Sequence, residues 1–166
     1  MPNALVDTVK LLALYNRLAN ERLYDACAML TDAERKKSRP AFFGSIHGTL
    51  NHIMVGDRIW LARFEGDDAP STNLDAVLYE EFVALRDARR EEDARIEKFA
   101  ATVDDAFLSG TIHYRNNEGR DFADPVDMLV IHFFNHQTHH RGQVHCLLTQ
   151  FGVKTAVTDI PFIPEQ

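Results

Sequence analysis

The sequence predicts an all-α fold: a four-helix bundle with a small hairpin between its third and fourth long helices. Three observations carry that reading. Apolar residues recur every three or four positions over long stretches, capping and turn residues punctuate the ends of those stretches, and the helical period breaks once, over residues 109–122.

The first helix carries Leu5, Val9, Leu12, Asn16, Ala19, Leu23, Ala26 and Leu30, an alternating spacing that marks a bundle seam with one polar break at Asn16. Thr31 and Glu34 have the spacing of a capping box that opens a short turn through Lys37, and Pro40 ends it. A second helix runs from about Ser45 to Phe64, with Leu50, Ile53, Trp60 and Phe64 as its apolar stripe and Gly66 to Pro70 as its stop. A third runs from about Leu74 to Ala100. Leu78, Phe82, Leu85, Ile96 and Phe99 point inward, and the almost wholly charged middle, Arg86 to Arg95, reads as a solvated face. About nine residues join these two helices and span roughly 30 Å when extended, easy for antiparallel neighbours and just enough for a crossover between parallel ones.

Thr111 to Tyr114 then reads as a strand, Asn116 to Gly119 as a turn, and Arg120 to Phe122 as the return strand. The fourth helix opens with Asp124 as N-cap, Pro125 at the first helical position and Asp127 at the positive end of the helix dipole. Leu129, Phe133, His136, His140, Val144, Leu147 and Phe151 form its inward stripe, and Gly152 stops it. The remaining residues, with two prolines, read as an extended tail packed on the bundle. No internal repeat or linker appears, so residues 1–166 read as a single domain.

Composition narrows the function classes. A net charge of −7 argues against a nucleic-acid-binding surface, and Arg35-Lys36-Lys37 reads as a solvated helix end. No run of about 18 apolar residues exists, so no membrane span is expected. Residues 1–16 lack a secretory pattern, and Cys27 and Cys146 offer no disulfide framework. Both thiols read as small buried packing residues in a cytoplasmic, reducing setting.

The chemistry concentrates in histidine. His136 and His140 are spaced i, i+4, one turn apart on the inward face of the fourth helix. Burying two neutral imidazoles requires partners for four ring nitrogens, at about 1–3 kcal/mol for each left unsatisfied. A metal ion would serve one nitrogen of each ring, and a third imidazole, His52 of the second helix, would complete a three-histidine site with open coordination positions. Spacing alone is not specific, since hydrogen-bonded core histidines show the same pattern. His132, one turn before His136, is a candidate fourth ligand or hydrogen-bonding partner, whereas His139 points about 100° away from His140. His47 lies about 140° from His52, too far round the helix to share a metal with it.

The run His136-Gln137-Thr138-His139-His140-Arg141-Gly142-Gln143 resembles the signature of the DinB/YfiT-like family of metalloenzymes, which is unrelated to the DNA polymerase sharing the DinB name. Tyr15-Asn16, Asn20, the run Phe42 to His52 and the run Gly56 to Leu61 extend the likeness in the same order along nearly the whole chain. The resemblance implies an up-down-down-up bundle, often a homodimer, and a divalent metal held by three histidines, here His52, His136 and His140. It also implies kinship with transferases and isomerases that use low-molecular-weight thiols.

The expected function is therefore that of a metal-dependent enzyme, a thiol transferase or hydrolase, acting on a small electrophile. One divalent ion, zinc or nickel first and iron or manganese next, would activate a small thiol cosubstrate or water. Asp57, His132 and Gln137 are candidates to orient the ligands or handle protons. The alternative is a non-catalytic metal-binding or stress-response dimer, whose site a fourth protein ligand would close.

Overall fold

Apolar stripes on four long helices meet in the interior of an all-α bundle. The structure, a computed structural model, describes residues 4–116 and 118–162. Residues 1–3, Asn117 of the expected turn and residues 163–166 of the expected tail lie outside the described residues. The order is α1 (Ala4–Ala28), α2 (Asp32–Lys36), α3 (Ile46–Glu65), α4 (Phe82–Thr102), α5 (Asp105–Leu108), β1 (Thr111–Arg115), β2 (Asp121–Pro125) and α6 (Val126–Gln150), followed by a 3₁₀ turn at Ile160–Phe162. Among the described residues no helix is long and apolar enough to cross a membrane.

Local chemistry explains most boundaries. The Thr31 and Glu34 capping box forms as the spacing predicts. Ser45 caps α3 by accepting from the Gly48 N–H, and Gly66 ends that helix in the left-handed region, φ 79°. The start of α6 differs from expectation. Pro125 closes β2 and occupies the N-cap, and Asp124 does not cap but accepts a hydrogen bond from the Tyr114 hydroxyl across the hairpin. Strand pairing with Thr111 extends β2 to Pro125, so the helix begins one residue later than the proline signal suggests.

Helix directions follow from which ends meet. Tyr24, late in α1, stacks on Phe82 at the start of α4, so these two are antiparallel. Phe64 and Phe99, both late in their helices, stack at 5.2 Å, so α3 and α4 are parallel. Phe64 also meets Phe133, early in α6, which makes α3 and α6 antiparallel. The bundle is up-down-down-up.

Parallel α3 and α4 correct the expected third helix. Residues 66–81 form the connection, and the chain from Leu74 to Glu81 is not helical. It must return along α3, a helix about 30 Å long. Its backbone is used on the way: the Tyr79 carbonyl accepts from the Asn51 amide and meets His47 Nε2, and Asn51 Oδ1 accepts from the Tyr79 N–H.

Two apolar clusters fill the interior, one around Leu23, Leu50, Leu85 and Val144, the other around Val9, Leu61, Ile96 and Phe133. A buried polar layer joins all four long helices. Arg89 of α4 forms an ion pair with Asp57 of α3 and lies 3.0 Å from Asp93. Asn16 and Asn20 of α1 donate to Asp93 at 3.0 and 2.9 Å. From α6, Arg141 donates to the amide oxygens of both asparagines, and Gln137 donates to Asp57 at 2.8 Å. The charged middle of the third helix is therefore only partly a solvated face: Asp87, Arg90 and Glu91 are exposed, whereas Arg89, Glu92 and Asp93 are buried. Arg35 is likewise not solvated, since its guanidinium donates to the carbonyls of Cys27 and Leu30. Cys27 is buried as expected, whereas Cys146 is exposed.

Candidate metal centre

Antiparallel packing of α3 on α6 brings His52 opposite the i, i+4 pair His136 and His140. One nitrogen of each ring falls within a group whose members all lie within 4.8 Å of one another. His52 Nε2 is 3.0 Å from His136 Nε2 and 3.2 Å from His140 Nε2. Nitrogens held at zinc-ligand distance by a tetrahedral ion sit roughly 3.3 Å apart, so these two separations match a metal of that size.

The partners of the other ring nitrogens fix the proton positions. His52 Nδ1 lies 2.7 Å from the Leu74 carbonyl oxygen, and His140 Nδ1 lies 2.8 Å from the Gln143 side-chain oxygen. The Leu74 carbonyl only accepts, so His52 Nδ1 carries the proton and His52 Nε2 presents a lone pair; the Gln143 amide, with its oxygen toward His140, sets the same tautomer there. His52 Nε2 thereby turns its lone pair toward the Nε2 atoms of His136 and His140, 3.0 and 3.2 Å away, where a cation would sit among them. His136 Nδ1 is buried without a hydrogen-bond partner.

Phe43 stacks on the His52 ring at 3.7 Å and meets His140 edge-on, holding both imidazoles from the side of the loop before α3. Gly56, one turn after His52, gives the His136 ring its room: a Cβ there would stand 2.8 Å from His136 Cε1. Gly56→Ala is thus expected to split two properties. Helix propensity favours alanine by about 1 kcal/mol, which offsets part of the roughly 1–3 kcal/mol cost of displacing the His136 ring, so the metal-free protein should lose no more than about 2 kcal/mol. Zinc affinity should fall by at least about tenfold, because His136 must swing out of register with its partners. Urea unfolding and competitive zinc titration measure the two halves separately.

Burial holds all three imidazoles neutral. It pushes His136 down to about 3, helped by the neighbouring His140 and His52, and it lowers His52 and His140 as well. The unfolded chain takes up protons on the same residues near pH 6.5. Metal-free protein is accordingly expected to keep its full stability above about pH 7 and to lose it progressively as pH falls through 6.5, since the unfolded state binds more protons. Thermal melts from pH 8 to pH 4 in the presence of a chelator check the sign.

His52 and His136 open onto a cavity of about 440 Å³ lined also by Ile59, Trp60, Arg63, Tyr114 and Phe122. His132 lies on this cavity against Trp60, its ring 6.0 Å from that of His136. Asp57 and Gln137 sit instead in the buried polar layer, bonded to each other, with Arg89 on Asp57. His139 is exposed, and His47 binds the crossover rather than the triad. Sequence reasoning did not single out Phe43, Gly56 as a spacer, or Arg63. The last two share the face of α3 that carries His52, at helical spacing, which is the signal that could have found them.

Comparison with known proteins agrees with this architecture. Residues 1–166 match the DinB family. Protein DinB of Bacillus subtilis (strain 168) is 24% identical over 149 residues, 87% of this chain and 87% of that protein. The crystal structure of a DinB-like protein from Bacillus cereus ATCC 10987 superposes with a TM-score of 0.62 at 20% identity, covering 84% of this chain and 89% of that one. With the family matched from end to end, the chain belongs to the DinB family.

Proposed function

We propose that the protein binds one divalent metal ion through the Nε2 atoms of His52, His136 and His140 and is a metal-dependent enzyme. It would activate a small thiol or water for transfer to, or hydrolysis of, a small electrophile. The observation that supports this most directly is the convergence of three imidazole nitrogens, two of them turned to present lone pairs by carbonyl oxygens behind them. Three neutral ligands leave the +2 charge of an ion uncompensated, which lowers the pKa of a bound thiol or water. Zinc or nickel suits the all-nitrogen set first, iron or manganese next. The rest of the chain supplies position. Leu74 and Gln143 orient two ligands, Phe43 holds them from one side, and the cavity beside His52 and His136 admits the substrate. In the same proposal, Asp57 and Gln137 brace α3 against α6 behind the ligands, and His132 faces the substrate.

The cavity favours an enzyme over a non-catalytic metal-binding or stress-response module, because a structural site would be closed by a fourth protein ligand. His132, the first candidate for that closure, is not in the mutually close group. A cytoplasmic homodimer of single-domain chains completes the proposal on the strength of the family resemblance. Elemental analysis of tag-free protein loaded with zinc or nickel tests the metal. About one ion per chain is expected, and protein that retains none overturns the reading.

A further inference from the structure

The cavity beside the histidines contains a cation that the fold leaves unneutralised. Arg63 shares the α3 face with His52, Gly56 and Trp60; its backbone stands roughly 16 Å beyond that of His52 along the helix axis, and its guanidinium leans back over the Trp60 ring. Its guanidinium is held in place from three sides. Cζ lies 4.6 Å from the Trp60 ring centroid and 4.4 Å from that of Tyr114, and Nη2 donates to the Arg115 carbonyl at 3.1 Å. Its Nε is buried with no hydrogen-bond partner. Among the described residues no carboxylate pairs with it, whereas its neighbours Arg58 and Arg95 pair with Glu92 and Glu65, and Glu118 of the same cavity pairs with Arg120. Half-burying a charge without a counter-ion is unfavourable, and a planar, pre-positioned guanidinium is the group that best matches an oxyanion.

We propose that the small molecule bound in this cavity carries an oxyanion, carboxylate or phosphate, that docks on Arg63. Its apolar body lies against Trp60, Ile59 and Phe122, and its reacting end lies at the histidines. The inference rests on the reading of this cavity as the substrate site of the proposed metal-dependent reaction. Trp60 and His132 stand between Arg63 and His136, which gives the proposal a definite consequence: the anion is separated from the reacting atom and is not the group that meets the metal. The hairpin takes part, because Tyr114 and the Arg115 carbonyl hold the guanidinium in place.

Trp60 is the one tryptophan in the chain, so its fluorescence reads occupancy of the cavity. Phenylacetate, phenyl phosphate and the uncharged phenylacetamide are titrated into wild type, Arg63→Gln and Arg63→Lys, each with a chelator and with zinc. Wild type is expected to bind at least one anion about tenfold or more tighter than the amide, with or without zinc. Which anion is preferred separates carboxylate from phosphate. Arg63→Gln should erase the preference, and Arg63→Lys should restore part of it. A cavity that merely collapsed would weaken all three probes alike and leave their ratio unchanged, which overturns the proposal. Three further results overturn it: a preference that survives Arg63→Gln, one that appears only with zinc, or no binding of any probe. Protein that retains no zinc yet keeps an Arg63-dependent preference supports this inference while refuting the metal reading.

Discussion

His136→Ala and His52→Ala are each expected to lose the bound divalent ion, while His139→Ala keeps it. Zinc held by a full protein ligand set is bound by about 10–16 kcal/mol, roughly 3 kcal/mol for each ligand. Deleting one of three ligands should therefore weaken binding by about 100-fold or more. The loss should come without unfolding. His136 leaves its buried Nδ1 unpaired, so truncating it removes an unsatisfied group from the metal-free protein. His139 is exposed and is not in the mutually close group, and its Nε2 meets only the Gln143 amide nitrogen. Metal stoichiometry by elemental analysis, beside a far-ultraviolet spectrum of each variant, is the measurement. Full stoichiometry in His136→Ala would refute the ligand assignment, and loss in His139→Ala would move it to the neighbouring ring.

Arg89→Ala carries the largest expected cost to stability, about 3–5 kcal/mol. The guanidinium is 3% exposed and Asp57 is fully buried. Burial alone would lower the arginine's pKa, but Asp93 and Asp57 more than offset it and hold the group charged. Removing it leaves two buried carboxylates, Asp57 and Asp93, without their cation. The triple variant Arg89→Met, Asp57→Asn, Asp93→Asn should recover much of the loss, because the uncompensated charge goes with the cation. Urea unfolding of metal-free protein at pH 7 reads both. A cost below about 1 kcal/mol for Arg89→Ala would mean that water solvates this layer.

The stripes on α1, α3 and α6 were legible because each buries one face, and burial writes a period of three to four residues into the chain. The histidine pair was legible for the same reason, since i, i+4 on an inward stripe can be read without knowing the fold. Two things were hidden. Leu74 and Leu78 continue the helical period of α4, yet their segment is not helical, because a parallel α3 and α4 require a connection that runs the length of a helix and because the backbone there serves His47, Asn51 and His52. The polar layer was hidden because each member looks ordinary on its own helix. Arg89 and Asp93 sit in a charged run, and their partners Asp57, Asn16 and Asn20 lie 32 to 77 residues away. Asn16, a single polar break in an apolar seam, was the visible trace of that layer.

The same chain path shapes how the molecule must assemble. Hairpin bundles let each helix dock on the one just made. Here α1 finds its partners in α4 and α6, with Asn16 bonded across 77 residues to Asp93 and across 125 to Arg141. The entropy of closing such long loops is lost before their contacts form, and folding slows as contacts become more distant in sequence. A helical protein with this path is expected to fold more slowly than a simple up-and-down bundle of the same length.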